Sequence, residues 1–98
     1  MKPQIIDLRN KIKSKKITIE FIANKPFYVV YKVLDVKGYK ILIDEVYSNK
    51  NDDYCRIKFS VFKKKNDFDD LIDYLANNEF CKKVYIYDYQ ELNDFRDD

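Results

Sequence analysis

The sequence predicts a single α+β domain, an antiparallel sheet with helices packed on one face, in the order α-β-β-β-β-α-β. Three observations lead there. In "ITIEFI" and "YCRIKFSVF" apolar and polar side chains repeat with a period of two, the mark of strands whose alternate side chains face opposite ways. The stretch "NDFDDLIDYLANNEF" instead spaces Phe68, Leu71, Ile72 and Leu75 at i, i+3, i+4 and i+7, a single apolar stripe on a helix. Finally, 98 residues with 46% hydrophobic content suit one domain, residues 1–98, with a modest core that needs neither metal nor disulfide. Helices laid on one face of an antiparallel sheet are the economical packing for such an order.

Each element has its own warrant. In residues 1–16, Ile5, Leu8 and Ile12 fall at helical spacing and Pro3 suits a first turn. Lys11, Lys13, Lys15 and Lys16 crowd the far end, where cations complement the helix dipole, so a helix with a basic end is expected. Residues 17–89 hold the sheet and a second helix. "ITIEFI" alternates cleanly, and Pro26 interrupts the ladder after it. "FYVVYKVLDV" is apolar at both parities and reads as an interior strand covered on two sides. The lone glycine, Gly38, signals a hairpin into "YKILIDEVY". "SNKNDD" is a loop, after which Cys55, Ile57, Phe59 and Val61 point inward and Arg56, Lys58 and Ser60 outward. The second helix spans 66–78. Asn66 is its N-cap, Asp67, Asp69 and Asp70 meet the positive end of the dipole, and Asn77 or Asn78 ends it in the left-handed conformation. "FCKKVYIYDY" closes the sheet, and residues 90–98 form an acidic tail expected to fray.

Most catalytic chemistry is excluded by what the chain lacks. With no histidine there is no His-based triad, general base or common zinc site. One glycine cannot build a phosphate-cradling loop. Cys55 and Cys81 lack metal-site spacing and an activating histidine, and Asp44 and Glu45 point to opposite faces of a strand. The expectation is a protein that is not an enzyme and holds neither cofactor nor metal. No apolar run approaches the length of a membrane span, so a soluble, cytoplasmic protein is expected, without a membrane partner.

Binding surfaces remain. "KVYIYDY" places Tyr85, Tyr87 and Tyr89 on one strand face and Val84 and Ile86 on the other. The helix just before supplies Leu71, Ile72 and Leu75, so Val84 and Ile86 are expected to meet it while the tyrosines lie opposite, joined by some of Tyr28, Tyr39 and Tyr47. Tyrosine offers a large contact area at low entropic cost. Charge is also polarised: residues 1–65 carry +9 and residues 66–98 carry −7. Asp67, Asp69, Asp70 and Asp73 are therefore a second candidate contact.

More than half of the chain is Ile, Lys, Asn, Tyr or Phe, residues of AT-rich codons. In general character the chain looks like a small accessory protein of a phage, virus or mobile element. The leading expectation is a non-catalytic protein-binding module, an inhibitor of a host defence or replication protein or complex, acting in the host cytoplasm. Self-association as a homodimer through the sheet would also cover an aromatic face. The alternative is a DNA- or RNA-binding protein using Lys11, Lys13, Lys15, Lys16, Lys63, Lys64 and Lys65, although no named nucleic-acid motif is matched.

Overall fold

The computed structural model describes residues 3–8, 16–49, 51, 53–62 and 68–87. Five strands and two helical segments make up this part of the chain: β1 (Gln4–Asp7), β2 (Lys16–Ala23), α1 (Phe27–Val30) continued by a 3-10 turn (Tyr31–Leu34), β3 (Lys40–Ser48), β4 (Cys55–Phe62), α2 (Asp69–Ala76) and β5 (Cys81–Tyr87). The sheet order is β1-β5-β2-β4-β3. The sheet is mixed and not antiparallel throughout as expected, because the first segment adds to it as a strand: β1 runs parallel to β5, and every other neighbouring pair is antiparallel. From β2 to β5 the connectivity is that of the split βαβ, ferredoxin-like arrangement, with β1 added at one edge.

β2 pairs along its whole length with β4, from Lys16 opposite Phe62 to Ala23 opposite Cys55, and on its other side with β5. Its inward residues Ile17, Ile19, Phe21 and Ala23 are all buried, as are Cys55, Ile57, Phe59 and Val61 of β4 and Val84 and Ile86 of β5. Val30 and Val33 from the first helical segment, and Phe68, Leu71, Ile72 and Leu75 around α2, close the same cluster. One core therefore lies between the sheet and both helices.

Two sequence expectations fail here, each for a physical reason. The helix expected within 1–16 is strand β1 where the chain is described, with Ile5 opposite Val84 and the Leu8 amide donating to the Ile86 carbonyl at 2.7 Å. A three-turn helix is marginal alone, whereas the β-branched pair Ile5-Ile6 suits a strand that β5 can pair. The run "FYVVYKVLDV" is helical rather than an interior strand. Pro26 occupies the N-cap position with φ −64° and ψ 162°. Phe27, Val30 and Val33 recur every third residue, the 3-10 period, and turn towards the core while Tyr28 and Tyr31 face solvent. With apolar residues at every position, the run satisfied either period, and packing decided.

Smaller corrections follow. Gly38 has a positive φ, 92°, but it sits in a turn between the 3-10 segment and β3 and not in the expected hairpin. α2 starts at Asp69, not at 66. Phe68 stands at its N-cap position without a side-chain cap and is itself buried, so packing anchors the first turn. The helix ends at Ala76 without a left-handed residue: Asn77 has φ −89°. The Asn78 side-chain and main-chain carbonyl oxygens instead accept from the Phe80 and Cys81 amides, at 2.9 and 3.0 Å, and turn the chain into β5. Asn66, Asp67 and residues 88–98 lie outside the described residues.

Phe59 lies mid-strand in β4, with no exposure on the core side. Phe59→Ala should cost about 3–5 kcal/mol, whereas Tyr74→Ala, on the solvent side of α2, should cost under about 1 kcal/mol. Urea unfolding of the two variants measures both.

Candidate interaction face of the sheet

Because side chains alternate, burial on the helix side determines what the other face carries. β5 contributes Lys83, Tyr85 and Tyr87. β2 contributes Thr18, Glu20 and Ile22, and β4 contributes Arg56, Lys58, Ser60 and Phe62. Among the described residues no helix packs on this face: α2 contacts β5, and α1 contacts β3 and β4, all through the common core.

The two described tyrosines of "KVYIYDY" lie here. Tyr85 and Tyr87 are half-buried, their rings near parallel at 15° with centroids 6.3 Å apart. The Tyr87 hydroxyl donates to Glu20 Oε1 at 2.9 Å, reaching from β5 to the central strand. Glu20 in turn lies 3.9 Å from Arg56 Nε on β4, a long and partly solvated pair that orients more than it stabilises. At the other end of the row, the Lys83 ammonium lies 5.5 Å from the Tyr85 ring centroid, within cation–π range. Aromatic rings, a carboxylate and two cations thus share one patch, with its polar groups already oriented. Tyr89 lies outside the described residues.

The other tyrosines divide. Tyr47 of β3 is opposite Arg56 on the same face, in edge contact with Tyr54 at 6.0 Å. Tyr39 packs against the core beside Phe68. Tyr28 is on α1, well exposed.

The acidic candidates lie elsewhere. Asp69, Asp70 and Asp73 are exposed on α2, which covers the opposite face of the sheet, so they do not join the tyrosines in one patch. Beside them, Asp70, Leu71 and Tyr74 of α2 and residues 36–39 line an open depression of ≈ 400 Å³. Of the lysines, Lys16 begins β2, opposite Phe62, with its ammonium 5.5 Å from that ring's centroid. Lys11, Lys13, Lys15, Lys63, Lys64 and Lys65 lie outside the described residues, as does Asp67.

Among the described residues no group of three or more His, Cys, Asp or Glu is placed to hold a metal ion, and no helix is long and apolar enough to cross a membrane. Burial pushes the thiols of Cys55 and Cys81 up from the ordinary 9.0 to about 11, which holds both as protonated, unreactive thiols at neutral pH. Sequence reasoning did not find Glu20 as part of the patch, because the placement of β5 beside β2 is not a local property.

No protein-family model, curated protein or solved structure matches the chain.

The raised thiol pKa values fix a pH dependence. Below pH 9 folded and unfolded chains both keep the thiols protonated. Above it the unfolded chain ionises first, so this contribution to stability is lost as pH rises from 9.0 towards about 11. Urea midpoints measured across that window should fall less steeply for Cys55→Ala than for the unaltered chain.

Proposed function

We propose that the chain is a non-catalytic protein-binding module whose contact surface is the face of the sheet opposite α1 and α2, centred on Tyr85, Tyr87 and Glu20. The observation that carries this reading is the Tyr87–Glu20 hydrogen bond across β5 and β2. It fixes a carboxylate near the middle of the face, between rings on one side and Arg56 on the other. A fixed carboxylate in that place opposes the phosphates of a nucleic acid, whereas mixed charge around rigid aromatic rings suits a protein surface. Such a module acts by covering part of a larger protein, and inhibition of a host protein is the form of that activity the chain's character suggests.

One observation favours nucleic acid as the second reading. Lys16 and Phe62, which the two lysine runs directly adjoin in sequence, are cross-strand partners. Affinity of that kind falls steeply with added salt.

Capture from nuclease-treated host lysate tests the two together. The tagged chain should retain a protein partner after nuclease, and Tyr85→Ser with Tyr87→Ser should lose it while still unfolding in one cooperative urea transition. A double variant that keeps the partner would overturn the assignment of the face. Recovery only of nucleic acid, sensitive to salt, would replace the reading with the second one.

A further inference from the structure

We infer that the outer edge of β3 pairs antiparallel with the same edge of a second copy of the chain, giving a two-fold dimer with one continuous sheet. This inference is independent of the tyrosine face. β3 is the last strand in the sheet order, and among the described residues nothing pairs with its outer edge. Proteins ordinarily blunt such edges by keeping them short, charged or bulged. The opposite edge strand, β1, has 4 residues, whereas β3 has 9; Lys40, Asp44 and Glu45 charge it and one bulge interrupts it, yet its Leu42 and Ile43 are 48% and 49% exposed.

The sequence of the edge is complementary to itself. In "KILID", residues 40–44, a cation and an anion bracket three apolar residues. Run antiparallel about Leu42, the segment sets Leu42 against Leu42 of the second copy, Ile41 against Ile43, and Lys40 against Asp44, the last two pairings occurring twice by symmetry. Cross-strand pairs of opposite charge and of apolar residues each favour a register. Neighbouring registers lose this match. Centring on Ile43 puts Leu42 opposite Asp44, and centring on Asp44 opposes two carboxylates.

The local structure prepares this register. Lys40 is opposite Phe62 and Leu42 opposite Ser60, so both stand on the face opposite α1 and α2. Asp44 joins them there, its Oδ2 accepting from the Ser60 hydroxyl at 2.8 Å, which holds the carboxylate in place before any partner arrives. Asp44 is itself the residue of the irregularity between Ile43 and Glu45, a bulge that ends the regular edge at the last residue of the complementary segment. On the helix side, Ile41 and Ile43 of the two copies would form a four-residue apolar cluster.

Sedimentation equilibrium of the full chain, with unfolding followed in parallel, tests the dimer. The unaltered chain should run at twice its 11.9 kDa mass. Leu42→Lys, which sets like charges against each other on the two-fold axis, should halve the mass without loss of fold. Lys40→Asp should also halve it, and the exchange of both charges, Lys40→Asp with Asp44→Lys, should restore the dimer. As a check that does not depend on weakening the edge, Leu42→Cys should cross-link two copies on mild oxidation, and Val46→Cys should not. An unaltered chain that stays monomeric, leaving the edge to a strand of another protein, overturns the inference. So does a dimer indifferent to Lys40→Asp, or cross-linking equal at both positions.

Discussion

The structure depends on one constraint, the burial of one side of β2 between two neighbours that pair with both of its edges. Ile17, Ile19, Phe21 and Ala23 sit in the core, and β4 and β5 flank the strand. A slip of one residue would drive Glu20 inward and Phe21 out, so the apolar pattern holds the register firmly. With β2 fixed, the faces of β4 and β5 are fixed by pairing, and both helical segments must cover the side on which the apolar residues lie.

The functional consequence is a division of labour between two sides of one sheet. The helix side is occupied by the core, so its outer surface is that of the helices, including the exposed acids of α2. The strand side keeps its backbone geometry rigid while presenting rings and charges that already contact one another. In the proposed reading this face is the contact surface, because rigid aromatic groups lose little freedom on binding. The fold supplies the frame for this and does not name the partner.

Much of this was legible in the sequence, and the misses share a cause. β2, β3, β4 and β5 announce themselves by alternation, and Val84 and Ile86 against Tyr85 and Tyr87 could be assigned to faces from the spacing and the preceding helix alone. α2 showed its stripe, though not its start, because the buried Phe68 stands at the N-cap position and burial carries no local capping signal. Residues 27–34 misled because valine and tyrosine favour strands locally, while the need to roof the core from Phe27, Val30 and Val33 is tertiary. β1 was hidden because parallel pairing of Gln4–Asp7 with β5 joins segments far apart in the chain. For the site, the rings were visible but Glu20 was not, since its contact with Tyr87 spans 67 positions of sequence.

The most direct test of the central constraint is native-state amide hydrogen exchange followed residue by residue. The account predicts the slowest exchange in Ile17–Phe21 of β2 and in the β4 residues opposite them, near the rate set by global unfolding. The β1 amides should exchange through easier, local opening. Amides of β2 that exchanged as fast as those of β1 would contradict the account, because the strand on which both faces depend would not be the last part of the molecule to open.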